Sequence, residues 1–327
     1  MREKSAEMIL EIKDLQFWYK VYKGYSKVLD GVNIAVRKGE KVGIVGEAGC
    51  GKTTTVKTIL GIVPEKRYVI PSGQILYKGK DILDMSDKEL GAIRTGEISM
   101  IYQEPSAALN PVFTVGQQMM DVARYSVQGA GKKKNELKEM VLHAIDSVFI
   151  PDAERIFGFY PSQLSGGMKQ RICIAMAIMT QRDLMIADEP GTALDVTIQD
   201  QVHKTLNKLV EERNMSLVMI THSLGVAREL TDSINVMYAG TVIESAKTKD
   251  LFKRTLHPYT IGLMEAVPRL SGGGVQAGIY GSIPDYLYPP KGCRFAPRCS
   301  RATRECLESK PPRVDVGEGH QVCCFHI

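Results

Sequence analysis

The feature that most constrains the fold is a glycine-rich loop at residues 46–53, which directly follows the apolar run at residues 41–45 of this 327-residue chain. Two further apolar runs, residues 184–187 and 217–220, also end in polar clusters. Continuous rather than alternating apolar character is typical of strands buried on both faces of a parallel sheet. Ligands bind such sheets beyond the carboxyl ends of the strands. We therefore predict an α/β fold with a mostly parallel central sheet and a site at these three clusters.

The glycine-rich loop fits the P-loop pattern Gly-x4-Gly-Lys-Thr, with a predicted strand before it and a helix after it. Its glycines let successive backbone N–H groups turn toward one anion, and the following helix adds its positive end. Lys52 would reach the β- and γ-phosphates of a nucleotide, Thr53 would bind Mg²⁺, and Thr54 would meet the α-phosphate. The predicted nucleotide contacts are Gly46, Glu47, Ala48, Gly49, Cys50, Gly51, Lys52, Thr53 and Thr54.

Two adjacent acids, Asp188 and Glu189, end the second apolar run. At a strand end, Asp188 is suited to hold Mg²⁺, and Glu189 can polarise an attacking water. Adjacent acids before Pro190 are also typical of a helix N-terminus, and the pattern by itself leaves that alternative open.

A second anion-binding loop is predicted at Ser165, Gly166 and Gly167, which precede a helical pattern at residues 168–180. The N-terminus of that helix offers free N–H groups and a positive dipole end. One nucleotide does not need two such loops from one chain. We therefore predict a site shared by two subunits, in which this loop closes on a nucleotide held by the partner's P-loop.

The chain divides by pattern into three parts. We predict a nucleotide-binding core at residues 1–103 and 181–254, with an antiparallel β part at its N-terminus. A helical subdomain is predicted at residues 104–180, because apolar residues within 135–148 recur at helical spacing. Residues 255–327 are predicted to form a separate extension. No run approaches the roughly 18–20 apolar residues that span a bilayer, and the N-terminus lacks signal-peptide character, so we expect a cytosolic chain.

Five of the seven cysteines lie at or after residue 293, with the spacing Cys293-x5-Cys299-x6-Cys306 followed by Cys323 and Cys324. Cytosolic thiols are free or metal-bound, and four thiolates can hold an iron–sulfur cluster or Zn²⁺. The spacing matches neither the paired cysteines of zinc ribbons nor a ferredoxin. The spacing alone is compatible with an iron–sulfur cluster, with a zinc site and with cysteines that bind no metal.

The same segment carries the positive charge of the chain. Residues 291–313 hold seven basic and two acidic residues, an excess equal to the net charge of +5 for the whole chain. We expect these basic residues to offset the charge of the thiolates. No aromatic residues interleave with them as in a nucleic-acid-binding surface, so no nucleic-acid partner is expected. The basic residues are Lys291, Arg294, Arg298, Arg301, Arg304, Lys310 and Arg313.

Together these motifs resemble the ATP-binding cassette (ABC) ATPases over residues 8–250. The signature motif corresponds to residues 164–171, the Q-loop glutamine to Gln103, the D-loop to residues 193–195 and the switch histidine to His222. The resemblance implies ATP and Mg²⁺ as cofactors, with Thr53, Gln103 and Asp188 at Mg²⁺ and with Glu189, His222 and Gln103 in catalysis.

Further roles follow from the same resemblance. Asp195 would line the seam between two cassettes, and Tyr19 would stack on adenine, with Trp18 and Tyr22 as alternatives. Two residues depart from the expected pattern: Gly191 and Ser223 stand where Thr and Asp are expected. We expect serine at position 223 to alter the orientation of His222.

Residues 106–115, 257–260 and 289–299 resemble the ATPases of dipeptide and oligopeptide importers. That resemblance implies an ATPase subunit at the cytoplasmic face of the membrane, driving import together with a second ABC ATPase subunit, two transmembrane permease subunits and an extracytoplasmic substrate-binding protein. Importers of nickel, glutathione and oligosaccharides share these features, so the resemblance does not determine the cargo. It also does not determine whether the second ATPase subunit is an identical copy or a paralogue. It also implies a 4Fe–4S cluster on Cys293, Cys299, Cys306 and Cys324, with Cys323 as the alternative fourth ligand.

A soluble ABC ATPase acting on nucleic acid or ribosomes is the competing hypothesis. Such proteins usually carry two cassettes in tandem or a long coiled-coil insertion. This chain has one P-loop motif and no heptad run. The importer hypothesis is therefore favoured.

Overall fold

The computed structural model describes residues 7–191, 194–266 and 278–327. These residues form two compact units. The helical unit comprises residues 86–218, and the P-loop unit comprises residues 7–85 and 219–327. The three-part division expected from the sequence stays a prediction.

The strands of the described residues are β1 (Met8–Val21), β2 (Gly24–Arg37), β3 (Lys41–Val45), β4 (Tyr68–Val69), β5 (Gln74–Tyr77), β6 (Lys80–Asp81), β7 (Ile98–Ile101), β8 (Leu184–Asp188), β9 (Ser216–Thr221), β10 (Ser233–Tyr238), β11 (Thr241–Lys247), β12 (Arg313–Asp315) and β13 (Gln321–Cys323). The α-helices are α1 (Lys52–Ile59), α2 (Asp87–Gly96), α3 (Pro105–Ala108), α4 (Val115–Arg124), α5 (Lys134–Ser147), α6 (Ala153–Phe157), α7 (Gly166–Ile178), α8 (Val196–Glu212), α9 (Leu224–Leu230), α10 (Thr248–Lys253), α11 (Pro258–Glu265) and α12 (Arg304–Glu308).

An antiparallel sheet occupies the N-terminal part of the P-loop unit, in the order β2-β1-β5-β6, with β4 also paired to β1. Ile12 of β1 lies opposite Ile34 of β2 and Ile75 of β5, and all three side chains are buried. This cross-strand apolar packing fixes the register of the sheet. The predicted antiparallel β part is confirmed.

The P-loop unit also contains β3, which pairs in parallel with β10. Four of the five residues of β3 are buried, as expected for a strand covered on both faces. Antiparallel pairings continue the sheet from β10 to β11, from β11 to β13 and from β13 to β12. The extension therefore contributes two strands to this sheet, which the sequence did not reveal because each is only three residues long.

An aromatic cluster joins the extension to β10. The ring centroids of Tyr238 and Tyr259 are 4.7 Å apart, and Phe295 packs edge-on against them at 5.1 and 5.4 Å. All three side chains are buried. Such clusters contribute both buried area and favourable ring geometry. The extension is thus part of the hydrophobic core beside β3.

The helical unit contains the parallel strands β7 and β8 and the helices α2 to α8. Capping boxes begin α2 at Ser86 and α4 at Thr114, which explains where these helices start. Helix α5 confirms the helix predicted at residues 135–148. Strands β3, β8 and β9 confirm the three predicted strands, and the chain passes from one unit to the other within β9.

Within residues 7–191, 194–266 and 278–327, no helix combines the length and the apolar character that crossing a bilayer requires.

Candidate functional site

The P-loop joins β3 to α1 through two positions that require glycine. A Cβ added to Gly46 would lie 2.1 Å from the carbonyl oxygen of Met237 on β10. Gly51, the N-cap residue of α1, has a φ of 105°. A side chain at either position would force the loop away from its neighbours. The two glycines are therefore needed for the packing and the backbone conformation of the loop.

The Lys52 side chain folds over its own loop. Its Nζ donates hydrogen bonds to the carbonyl oxygens of Gly46 at 2.7 Å and Glu47 at 3.0 Å, and the residue is 5% exposed. Carbonyl oxygens thus hold a buried positive charge at the loop. Thr53 and Thr54 are half-buried in the first turn of α1, and Ala48 and Gly49 are exposed. The predicted phosphate ligands lie together in one loop and one helical turn.

Glu47 is occupied by contacts from the extension. Its backbone N–H donates to the Tyr259 hydroxyl at 3.0 Å, and its carboxylate accepts two hydrogen bonds from Arg298 at 2.8 and 3.1 Å. The Tyr286 hydroxyl also donates to the Gly49 carbonyl at 2.7 Å. These partners lie 212 to 251 residues from the loop in sequence. No local pattern could have identified them.

Gln103 and Glu189 come together in the helical unit. The Gln103 amide Nε2 donates to Glu189 Oε2 at 3.2 Å. Glu189 follows β8 with a φ of 48°, and Asp188, the last residue of β8, is 2% exposed. Among the described residues the next helix, α8, begins after Asp195, so neither acid is its N-cap residue. A carboxylate held by an amide is suited to accept a proton from water.

The loop at Ser165 begins α7. Ser165 is the N-cap residue, and its Oγ accepts a hydrogen bond from the Met168 N–H at 3.3 Å. Ser165 and Gly166 are exposed, and Gly167 is half-buried against Leu194. Further along α7, the buried Gln170 donates to the Pro190 carbonyl at 2.9 Å. Hydrogen bonds thus hold the first turns of α7 in place, while Ser165 and Gly166 at its N-terminus are accessible to solvent.

The segment after Glu189 explains one of the two departures. A Cβ at Gly191 would lie 2.6 Å from Cγ of Gln199, so glycine makes room for that side chain. Asp195 is exposed, and its carboxylate accepts a hydrogen bond from the Ile198 N–H at 3.0 Å as the N-cap of α8. Ala193 of the predicted D-loop lies outside the described residues.

The second departure concerns the residue after His222. His222 is exposed at the end of β9. Ser223 Oγ accepts a hydrogen bond from the Val226 N–H at 3.3 Å and caps α9, and its own N–H donates to Thr221 Oγ1 at 3.0 Å. Serine and aspartate are both good N-cap residues. The serine therefore retains the capping role that an aspartate would have.

Tyr19 is half-buried on β1, with its ring edge-on to Phe17 at 4.9 Å. Of the alternatives, Trp18 is covered by the Lys27 ammonium at 5.1 Å and by Tyr25 at 6.0 Å, and Tyr22 is fully exposed. The Tyr19 ring is thus packed against Phe17 and still partly accessible to solvent. It remains a better candidate for stacking on adenine than Trp18 or Tyr22.

Four cysteines of the extension line a single cavity, which His257 and His326 also line: Cys293, Cys299, Cys306 and Cys324. Cys323 lines a different cavity, and its Sγ donates to the Val242 carbonyl at 3.5 Å. Among the described residues, no three His, Cys, Asp or Glu side chains are grouped closely enough to hold one metal ion. Of the two adjacent cysteines, Cys324 thus shares a cavity with Cys293, Cys299 and Cys306, and Cys323 does not line that cavity.

Several basic residues of the extension form ion pairs with carboxylates. Arg294 pairs with Asp30 at 3.3 Å, Arg298 with Glu47 at 2.8 Å and Lys310 with Asp30 at 2.6 Å. A fourth, Arg304, pairs with Glu308. Asp30 and Glu47, which lie outside residues 291–313, therefore offset two of the five excess positive charges. That the other basic residues offset the charge of the thiolates stays a prediction.

We predict that Cys50 and Cys173 resist alkylation at pH 8, while the half-exposed Cys299 of metal-stripped protein reacts. Burial raises the pKa of Cys50 and raises that of Cys173 to about 12. Below its pKa a thiol is protonated, so the Cys173 thiolate fraction falls about a thousandfold below that of an ordinary thiol. Mass spectrometry after a short iodoacetamide pulse measures this, with denatured protein as the control in which all seven react. Labelling of native Cys173 as fast as Cys299 would contradict the prediction.

Comparison with known families identifies two regions. Residues 29–192 match the ABC transporter family, and residues 243–306 match the oligopeptide/dipeptide transporter C-terminal region. The second region contains Cys293, Cys299 and Cys306.

Several known proteins are similar to this chain over nearly its full length. The dipeptide transport ATP-binding protein DppD of Bacillus subtilis is 40% identical over 320 residues, covering 98% of this chain and 95% of the relative. The oligopeptide transport ATP-binding protein OppD of Salmonella typhimurium is 40% identical over 323 residues, with the same coverage. Among solved structures, the ATP-binding cassette MJ0796, a dimer bound to ADP and Pi, has a TM-score of 0.66 at 27% identity, covering 73% of this chain and 98% of that one.

The structural match confirms the predicted P-loop α/β fold of an ABC ATPase. The matches to relatives cover the extension as well as the ATPase region. The match to the ABC transporter family and the similarity to transport ATP-binding proteins together show ATPase activity coupled to transport. The chain therefore belongs to the ATP-binding proteins of dipeptide and oligopeptide ABC transporters.

Proposed function

We propose that the chain hydrolyses ATP with Glu189 as the general base, which takes a proton from the water that attacks the γ-phosphate. The observation that carries this proposal is the 3.2 Å contact between Gln103 Nε2 and Glu189 Oε2 at the end of β8. It places an amide beside the carboxylate, where it can orient the same water. Lys52 binds the β- and γ-phosphates, and His222 senses the γ-phosphate.

The donor set fits Mg²⁺. Thr53 offers a hydroxyl, Asp188 a carboxylate, and Gln103 retains its amide oxygen while its nitrogen donates to Glu189. Mg²⁺ prefers such hard oxygen ligands. When bound, the ion neutralises negative charge on the β- and γ-phosphate oxygens.

A second ATPase subunit, either a copy or a paralogue, completes the site. The exposed N-terminal end of α7 at Ser165 and Gly166 supports this arrangement, because it leaves an anion-binding surface for another chain. Asp195 lies at the seam between the subunits, and Tyr19 stacks on adenine. ATP binding favours the closed pair and hydrolysis releases it. The related cassette MJ0796 forms a dimer.

The complete assembly is a peptide importer. Its other members are two transmembrane permease subunits and an extracytoplasmic substrate-binding protein, and this chain binds the cytoplasmic face of the membrane. The naming of the relatives for dipeptide and oligopeptide transport supports peptide as the cargo. Nickel, glutathione and oligosaccharides are the alternative cargoes.

Purification from membranes tests the assembly. Tagged protein should copurify with two hydrophobic membrane proteins, and a peptide-loaded binding protein should accelerate ATP hydrolysis by the complex. Binding proteins loaded with nickel, glutathione or an oligosaccharide form the comparison arms. Stimulation by nucleic acid or ribosomes, without membrane partners, would overturn the proposal.

For the cysteine cavity we propose a 4Fe–4S cluster on Cys293, Cys299, Cys306 and Cys324. These residues would hold the cluster through their four thiolates. The four cysteines line one cavity, which supports this ligand set. The soft thiolate donors also suit iron–sulfur chemistry.

Anaerobic purification with metal analysis tests the cluster. Wild-type protein should contain iron and acid-labile sulfide in equal amounts and absorb in the visible range. Cys306→Ser should lose both, while the matched control Cys323→Ser should retain them. Zinc instead of iron, or equal loss in both variants, would contradict this ligand set.

A further inference from the structure

The P-loop is held by side chains of the extension and by the backbone of the turn between β10 and β11. Tyr286 donates its hydroxyl proton to the Gly49 carbonyl at 2.7 Å, and the Gly240 N–H donates to the Cys50 carbonyl at 2.8 Å. Because a peptide unit is planar and trans, fixing a carbonyl also fixes the direction of the next N–H. The N–H groups of Cys50 and Gly51 are therefore oriented by these contacts.

Arg298 makes the most extensive of these contacts. Its Nη1 and Nη2 donate to the two carboxylate oxygens of Glu47 at 2.8 and 3.1 Å. The remaining N–H groups donate to the carbonyl oxygens of Tyr280 and Ile279, each at 2.9 Å, and to the Tyr238 hydroxyl at 3.4 Å. All five guanidinium donors are thus used, which lysine could not reproduce.

The charge on this arginine matters because Glu47 lies within the P-loop. The Arg298 side chain is 5% exposed, and that of Glu47 is 29% exposed. Hydrogen bonding to Glu47 raises the pKa of the Arg298 guanidinium, so it stays charged. An unpaired carboxylate at this position would repel the phosphates of ATP.

We propose that Arg298 is a positioning residue for the P-loop, which binds and neutralises Glu47 and so raises the affinity of the loop for ATP. Tyr286 positions the same loop by its hydrogen bond to the Gly49 carbonyl. The extension thereby contributes to nucleotide binding although it supplies no phosphate ligand itself. The proposal rests on the proposed function, because it requires ATP to bind at the P-loop. ATP binding by the wild-type protein is therefore measured first: its absence would contradict the proposed function, whereas wild-type binding that Arg298→Ala leaves unchanged would contradict only the positioning role.

The first test measures Mg-ATP binding and steady-state hydrolysis in full-length variants. Arg298→Ala should raise the Kd and KM for ATP about tenfold, with kcat changed by less than about twofold. Arg298→Lys should fall between wild type and Arg298→Ala. The matched control is Arg304→Ala, which removes an arginine of the extension whose side chain is 89% exposed and paired only on the surface, and it should bind ATP like wild type.

A charge-rescue variant separates this role from general destabilisation. Glu47→Gln combined with Arg298→Ala should recover part of the lost affinity, because it removes the carboxylate that the arginine neutralised. A merely structural arginine would show no such recovery. Wild-type ATP affinity in folded Arg298→Ala, or no recovery in the double variant, would overturn the proposal.

Tyr286→Phe keeps the test decisive if Arg298→Ala does not fold. The change deletes only the hydroxyl that bonds Gly49, and Tyr288→Phe is its matched control because Tyr288 is 75% exposed. Weaker ATP binding in Tyr286→Phe alone supports the proposal. Equal ATP affinity in the two variants would contradict it.

Discussion

Replacing Glu189 by Gln is expected to reduce the rate of ATP hydrolysis on the order of 100- to 10,000-fold, the range that a general base contributes. Glutamine keeps the shape of the side chain and can still contact Gln103, but it cannot accept a proton from water. ATP binding on the P-loop should be preserved, because the change removes no phosphate ligand. Phosphate release and Mg-ATP binding by purified protein measure the two quantities.

The control for this change is Glu139→Gln, the same substitution at an exposed position of α5. It should hydrolyse ATP at the wild-type rate. If Glu189→Gln also hydrolyses at that rate, then Glu189 is not the base. If it loses ATP binding to the same extent as hydrolysis, the residue serves binding rather than proton transfer.

Replacing Lys52 by Ala should weaken ATP binding about 10- to 100-fold, because a charged hydrogen-bond donor to phosphate is lost. In this structure Lys52 Nζ is bound by the carbonyl oxygens of Gly46 and Glu47, which place its charge at the loop. Equilibrium titration with Mg-ATP provides the measurement.

Lys57→Ala is the matched control for Lys52, since it removes the same charge from the last turn of the same helix, α1. It should bind ATP with nearly wild-type affinity. Equal weakening by the two changes would mean that the general positive charge of α1, rather than a phosphate contact by Lys52, determines affinity.

The parts of the fold that the sequence predicted best are those with a local signal. Continuous apolar residues predicted β3, β8 and β9, and the helical spacing of apolar residues predicted α5. The loop at Ser165 was likewise evident, because glycines directly precede a helix. Each of these signals lies within some fifteen residues, where propensity and burial act together.

The contacts that the sequence did not reveal connect distant segments. Strand β13 has a backbone partner in β11, and Arg298 bonds Glu47, 251 residues away. No spacing rule relates such positions. The ion pairs of the extension could not be predicted for the same reason, because Arg294 and Lys310 reach Asp30, and Arg298 reaches Glu47, from far along the chain.

The central claim is that hydrolysis at Glu189 of this chain powers peptide uptake. The most direct test is uptake of a labelled dipeptide into vesicles that contain the assembled transporter, with ATP and the peptide-loaded binding protein supplied. Wild-type vesicles should accumulate peptide, and vesicles carrying Glu189→Gln should bind ATP but accumulate none. Peptide accumulation at the wild-type rate with Glu189→Gln would contradict the account.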